Sequence, residues 1–261
     1  GSMRATDVKT SRIVAAQEAT FGLPRDLPLG WHTIHVRTPS RPDDAQGTLV
    51  VTPAWLGLPD DLPQQVGTMV QLYQLRSRRS WGLGDLADLA DLAAWSAASM
   101  DAGFVLINPL HAGEPVPPLE PSPYLPSSRR FVSPIYLRVE DVPEWGYLTG
   151  EDRLLVERLA AEGRALTGSD RLDRDAAWEL KSAALEVVHS VERGQARQAA
   201  YEQFLVREGD GLRDFATWCA LVEEYGETWV EWPEPLRDPH SPEVAKARDK
   251  LADRVDFHCW L

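Results

Sequence analysis

Two short apolar runs flanking a helix-spaced segment constrain this chain more than any other feature. Thr68-Met-Val-Gln-Leu-Tyr73 and Phe104-Val-Leu-Ile107 have strand length, and between them lies the glycine-marked turn Ser80-Trp-Gly-Leu-Gly-Asp85. Leu86, Leu89, Ala90, Ala93, Ala97 and Met100 recur at three- and four-residue steps, so they form one apolar stripe on a helix. Asp85 suits the N-cap and Gly103 the stop. The Phe104–Ile107 run fits a parallel strand buried on both faces, although a run this short also fits a buried helix segment. The pattern therefore predicts a β-α-β unit with a right-handed crossover. In parallel α/β proteins, sites gather where strands end and loops begin. The exit after Ile107 carries Asn108-Pro-Leu-His111 and then the loop Pro121-Ser-Pro-Tyr-Leu-Pro126.

At these residues the chain resembles the 4-α-glucanotransferases, the amylomaltases or disproportionating enzymes of glycoside hydrolase family 77. The matching pieces are Trp81-Gly-Leu-Gly-Asp85, Asn108-Pro-Leu-His111, Ser122-Pro-Tyr124 and Ser133-Pro-Ile-Tyr-Leu137. Downstream, Leu212-Arg-Asp-Phe-Ala-Thr-Trp218, Trp232-Pro-Glu-Pro-Leu-Arg237 and Phe257-His258 follow in the family's order and spacing. The resemblance covers residues 66 to 261 and implies a fold: the first part of a (β/α)8 TIM barrel, with a helical insertion at about 149–240. It also implies that residues 4–65 are the tail and linker of an N-terminal β-sandwich domain.

The residues agree with that division. Trp31-His-Thr-Ile-His-Val36 and Thr48-Leu-Val-Val-Thr52 are short β-branched runs separated by Pro39-Ser-Arg-Pro-Asp-Asp44, the pattern of a hairpin or sheet edge, and Leu56 to Gly67 reads as a linker. Helical spacing marks Glu151–Ala161, Asp173–Arg193, Gln195–Glu208 and Leu212–Tyr225, with Thr149 and Asp173 as candidate caps and Gly163, Gly194, Gly209-Asp-Gly211 and Gly226 as breaks. Ser241-Pro242-Glu243 starts a helix whose stripe, Val244, Ala247, Leu251, Val255 and Leu261, runs to the last residue. Such an ending reads as the N-terminal part of a longer enzyme, with the C-terminal remainder as its partner.

A net charge of −13 argues against nucleic acid or an anionic membrane as partner. No apolar run approaches a membrane span. Gly1-Ser2 before Met3 reads as an expression scar with no leader behind it, so a cytoplasmic protein is expected. Cys219 and Cys259 are too few for a disulfide framework and are expected as reduced thiols on helices. Ten tryptophans offer faces for sugar stacking, yet most are better read as core.

Retaining glucan transfer needs a carboxylate nucleophile and an acid/base about 5 Å apart. The family takes these from later barrel strands, and no segment here matches those motifs, so no catalytic residue is assigned. The resemblance does assign a role in substrate binding. It places Ser122 and Tyr124 at the donor sugar of an α-1,4-glucan or maltooligosaccharide, with Asn108 and His111 at the strand exit beside them. His111 reads equally as a hydrogen-bonded structural histidine, and Trp81 is either a sugar platform or a plug beneath the barrel mouth. Glu114 and Glu120 read as solvent-facing.

Several other patterns have plainer readings. Gly82-Leu-Gly-Asp-Leu-Ala87 fits a dinucleotide fingerprint, but its glycines begin well after the strand and Asp85 would repel phosphate. Asp85, Asp88 and Asp91 read as capping and a solvated helix face instead of a metal cluster. His32 and His35 fall on opposite faces of a strand. Arg76, Arg78 and Arg79 could bind an anion but read better as surface or interdomain pairing. No metal or organic cofactor is expected. The activity implied is transfer of α-1,4-glucan segments to the 4-hydroxyl of an acceptor sugar; the alternatives are a non-catalytic carbohydrate-binding fragment and a hydrolase related to the α-amylases.

Overall fold

The computed structural model describes residues 8–13, 16–38, 41–57 and 64–261. The chain divides into two compact units, Gly1–Gln64 and Gln65–Leu261. The first contains two antiparallel hairpins: β1 (Val8–Ile13) with β2 (Ala16–Phe21), and β3 (Gly30–Thr38) with β4 (Arg41–Val51). The second hairpin is the one read from the β-branched runs, in register from Gly30 opposite Val51. Its pleat half-buries His32 and Ile34 and exposes Trp31, Thr33 and His35, which separates the two histidines as period-2 geometry requires. Residues 39 and 40 of the expected turn and 58–63 of the linker lie outside the described residues.

In the second unit β5 (Gly67–Val70) pairs in parallel with β6 (Phe104–Ile107), Gly67 opposite Phe104 and Val70 opposite Ile107, with α1 (Leu86–Met100) between them in the chain. The first strand is shorter than its apolar run, because Leu72–Gln74 closes into a 3-10 turn. Neither strand is buried on both faces: Met69 is 76% exposed, Phe104 50% and Leu106 56%. The helix differs in the same way. Leu86 and Met100 are exposed, and its fully buried positions are Asp88 and Ser96. The helix ends at Asp101, which takes the left-handed conformation expected of a C-terminal stop, while the amide of Gly103 donates to Val66 O at 2.9 Å. Among the described residues each sheet has two strands and none closes into a barrel; the second unit holds one parallel α/β crossover and a helical layer.

The turn before α1 is built around a buried ion network. Asp85 accepts the amides of Ala87 and Asp88, and Asp88 accepts the amide of Asp85, which makes a reciprocal capping box. Both carboxylates then receive Arg138: Nε donates to Asp85 Oδ2 at 2.6 Å, and Nη2 donates to Asp85 Oδ1 at 2.7 Å and to Asp88 Oδ1 at 2.8 Å. Ser80 Oγ donates to Asp88 Oδ2 at 2.6 Å. All four side chains are buried, so the expectation of a solvated face fails for Asp85 and Asp88 and holds for Asp91. Burial alone would raise the Asp88 carboxyl, but Ser77, Ser80 and Arg138 outweigh it and hold it below the usual carboxylate range. The glycines belong to this packing: Gly84 N donates to Tyr73 O, and a Cβ there would collide with the carbonyl oxygens of Leu72 and Leu75. The close approach that resembles a dinucleotide fingerprint is thus to the protein's own backbone.

Chain after Arg138 wraps into a helical layer of α2 (Gly150–Ala165), α3 (Arg174–His189) and α4 (Gln195–Tyr225), the last broken at Gly209, whose φ of 65° is non-helical. Asp173 caps α3 through the amide of Ala176, whereas Thr149 occupies the cap of α2 without a side-chain bond. The stripe from Val244 onward is divided between α5 (Pro242–Lys250) and α6 (Ala252–Trp260), with Leu251 as the joint and Ser241 capping Val244 N. Trp81, Val139, Val156, Ala177, Leu185 and Phe257 meet in the main core. Lys181 of α3 is fully buried inside it and donates to Ile135 O at 2.6 Å and Leu137 O at 2.9 Å; burial lowers its pKa to about 8.

Polar clusters tie α6 to its neighbours. Arg254 donates both Nε and Nη2 to Glu223, and His258 lies 2.9 Å from the same carboxylate. Asp256 receives Tyr201 OH at 2.7 Å and faces His189 at 2.9 Å. Burial pushes the Glu223 carboxyl up, but the Arg254 and His258 bonds outweigh it and bring it to about 2. The His189 bond, with Tyr201 and against burial, brings Asp256 to about 2.

Two outcomes follow from these networks. Arg138→Met leaves Asp85 and Asp88 buried without their cation. It should lower unfolding free energy by about 3–5 kcal/mol and the melting temperature by roughly 10 °C; Arg138→Lys should not restore it, since one ammonium cannot copy the guanidinium fork. A melting temperature within a degree of wild type would show that the network is not needed. The second outcome concerns acid. Glu223 and Asp256 are more acidic folded than unfolded, so each contributes stability fully present above its ordinary pKa of 4.5 or 3.8 and lost as pH falls toward 2. Urea unfolding followed between pH 5 and pH 2 should show this decline, with Glu223→Gln removing its share, on the order of 2 kcal/mol.

Candidate functional site

Beyond Ile107 the chain opens a cavity of about 340 Å³. One wall is the segment from His111 to Pro126, and the opposite wall comes from the helical layer through Phe204, Leu212, Phe215 and Cys219. The segment begins as β7 (His111–Ala112) and returns as β8 (Ser128–Val132), with His111 opposite Val132. Between these strands prolines stand at 115, 117, 118, 121, 123 and 126, so the loop has few backbone donors with which to make its own ladder.

Side chains replace that ladder. Glu120 Oε1 accepts the amide of Ser122 at 2.9 Å, Ser122 Oγ accepts the amide of Tyr124 at 3.3 Å, and Ser122 O accepts the amide of Leu125 at 3.1 Å. Ser122 and His111 line the cavity. Tyr124 stands next to Ser122 at the turn with its side chain 60% exposed. Glu120 is exposed as expected; Glu114 is half-buried instead, with Ser127 Oγ donating to one of its oxygens at 2.7 Å and the other shielded from solvent without a hydrogen-bond partner.

The other two expected site residues lie deeper. Asn108 is buried at the end of β6: its Oδ1 accepts the amide of Leu72 at 2.6 Å, and its Nδ2 donates to Pro109 O at 2.8 Å and to Tyr136 OH at 3.2 Å. It thereby ties both strand exits to the segment after the loop. Trp81 is buried in the core, packed on Gly163, with its Nε1 donating to Glu140 Oε1 at 3.1 Å. Ser122 and His111 are brought to the cavity wall and Tyr124 is exposed beside Ser122, whereas Asn108 and Trp81 are buried.

The cavity's charged groups are largely engaged. Arg130 Nη2 donates to Glu208 O at 3.0 Å, and the Arg174 guanidinium sits 4.7 Å from the centre of the Tyr73 ring. Burial pushes both cysteine thiols up, Cys259 to about 11, so neither is a ready nucleophile. They are free thiols on α4 and α6, as read from sequence. Among the described residues no three His, Cys, Asp or Glu side chains are placed to hold a metal ion, and no helix is long and apolar enough to cross a membrane. The lining is largely leucine, proline and aromatic side chains, with hydroxyls from Ser122, Ser133, Tyr73 and Tyr136 as polar points, the usual make-up of a small-molecule site.

Sequence reasoning missed the groups that hold this loop from outside. Asp175 and Trp178 of α3 bond to Leu119 N and Pro115 O. Both sit inside a helix whose spacing was legible, but nothing in the local pattern says that they reach a loop more than 50 residues earlier.

A family model described as 4-alpha-glucanotransferase matches residues 70–261, and one described as the MalQ N-terminal beta sandwich domain matches residues 1–53. A 4-alpha-glucanotransferase of Mycobacterium tuberculosis is 53% identical over 253 residues, 94% of this chain and 34% of that protein. One from Haemophilus influenzae is 33% identical over 90% of this chain and 36% of that protein. The crystal structure of amylomaltase from Corynebacterium glutamicum superposes with a TM-score of 0.69 at 40% identity, covering 97% of this chain and 35% of that one. The chain spans about a third of the length of these relatives.

Proposed function

The chain belongs to the 4-alpha-glucanotransferase family, glycoside hydrolase family 77, and from that membership we propose that it is the N-terminal part of an enzyme that moves α-1,4-glucan segments from a maltodextrin donor to the 4-hydroxyl of an acceptor sugar. The reaction retains configuration. An enzyme carboxylate displaces the leaving saccharide, an acid protonates that saccharide's oxygen, and the acceptor hydroxyl, deprotonated by the same group, reverses the substitution. In this reading the carboxylates belong to the remainder of the enzyme, the chemistry needs no metal or organic cofactor, and the present chain supplies part of the sugar site.

The observation that carries the reading is that Ser122 and His111 line the cavity while Tyr124, two residues after Ser122 in the same loop, is exposed. The exposed Tyr124 ring offers a stacking face and its hydroxyl a hydrogen bond; Ser122 and His111 offer further polar contacts. Asn108 and Trp81 support these from behind, Asn108 by fixing the strand exits and Trp81 by filling the core beneath the turn. The β5-α1-β6 unit is read as the start of a (β/α)8 barrel, α2 to α4 as an insertion in it, and the hairpins as the tail of a β-sandwich domain. The exposed apolar positions Met69, Phe104 and Leu106 support the remainder of the barrel as a partner, because soluble proteins cover such faces.

The test is Tyr124 in an enzyme that contains this sequence. Tyr124→Ala removes an aromatic contact and a hydrogen bond, each on the order of 1 kcal/mol, so kcat/KM for maltodextrin transfer should fall roughly ten- to a hundredfold. Tyr124→Phe should lose less. The 261-residue chain by itself should not convert maltotriose into glucose and longer chains. Full transfer activity in an alanine variant that melts lower would make Tyr124 structural, and release of reducing ends without longer products would favour hydrolysis.

A further inference from the structure

The loop that carries Ser122 and Tyr124 is gripped from outside by the first turns of α3. Asp175 Oδ1 accepts the amide of Leu119 at 2.8 Å, and Trp178 Nε1 donates to Pro115 O at 2.6 Å. Pro117 and Pro118 lie between the two anchor points. Each proline removes a donor and fixes φ, so the segment is stiff but cannot hydrogen-bond itself into place. Its orientation therefore depends on the anchors at its ends. Leu119 is only three residues before Ser122, and the turn built on Ser122 follows without slack.

Asp175 is not needed to start its own helix. Asp173 already supplies the capping bond, to the amide of Ala176 at 2.9 Å. The Asp175 carboxylate is thereby free to reach the loop, and Trp178, one turn later, is buried beside it. Arg174 packs on Tyr73 at the exit of the first parallel strand, so consecutive residues of one helix contact two different borders of the cavity.

We propose that Asp175 is a positioning residue of the sugar site: its carboxylate sets the place of Leu119 and hence the presentation of Ser122 and Tyr124. What the loop presents itself to rests on the glucan reading above; the grip itself does not. The experiment uses the longer enzyme that contains this sequence, with Asp175→Ala and Asp175→Asn, reading amide hydrogen exchange and the affinity for maltoheptaose. Asp175→Ala should speed exchange at Leu119 roughly tenfold or more, while amides within α3 keep their protection. It should also weaken maltoheptaose binding about tenfold if the loop geometry carries the contact. Asp175→Asn keeps an acceptor oxygen and should retain most of both.

Unchanged Leu119 exchange in the alanine variant overturns the proposal, as does unaltered maltoheptaose affinity once that exchange has risen. An equal loss of protection across α3 and the core overturns it too, since Asp175 would then act on stability alone. Failure of the wild-type enzyme to bind maltoheptaose counts against the glucan reading, and the exchange comparison then decides the grip by itself.

Discussion

The placement of one guanidinium underlies the rest of the second unit. Arg138 lies buried between Asp85 and Asp88, and the three residues belong to segments about 50 positions apart. An ion pair of this kind adds little net stability over a well-packed apolar set, because desolvation offsets most of the attraction. Its effect is directional. The carboxylates that receive Arg138 also cap α1, so the start of that helix and the return of the chain after the site loop are fixed to each other. Lys181 adds α3 to the same arrangement by bonding the carbonyls of Ile135 and Leu137, just before Arg138.

That arrangement explains how a loop poor in backbone donors keeps a definite shape. Its two ends are held by the β7–β8 pair, and its middle is held by side chains from α3. The helical layer therefore does more than cover the core: it supplies one wall of the cavity and the anchors of the opposite wall. Asn108 performs a similar service at the strand exits, where one side-chain amide joins Leu72, Pro109 and Tyr136.

Features set by short-range chemistry were readable along the chain. Asp85, Asp173 and Ser241 cap helices because a carboxylate or hydroxyl one to three residues before free amides bonds them in almost any context. Gly209 breaks a helix because it takes a φ that other residues avoid. The β3–β4 hairpin followed from β-branched runs on either side of a turn. Where reading failed, the reason was a partner distant in sequence. The stripe Leu86 to Met100 is apolar, yet the buried side of that helix is chosen by Arg138 and Ser80, which bury Asp88 instead. Glu114 is polar and in a loop, yet it is half-buried with one oxygen shielded from solvent.

The sequence by itself determined the order of elements, the parallel crossover, the caps at Asp85, Asp173 and Ser241 and the stretch from Asn108 to Tyr124 as the place to look, because periodicity, capping and proline content act within a few residues. Only the tertiary structure decided which of those residues face a cavity. Ser122 and His111 line it and Tyr124 stands exposed beside them, while Trp81 and Asn108 are buried behind. A tryptophan or an asparagine carries no local mark of the direction it will face. That direction depends on which distant backbone or carboxylate satisfies its polar atoms, Glu140 for the indole and Leu72 for the amide, and such pairings exist only once the chain has closed on itself.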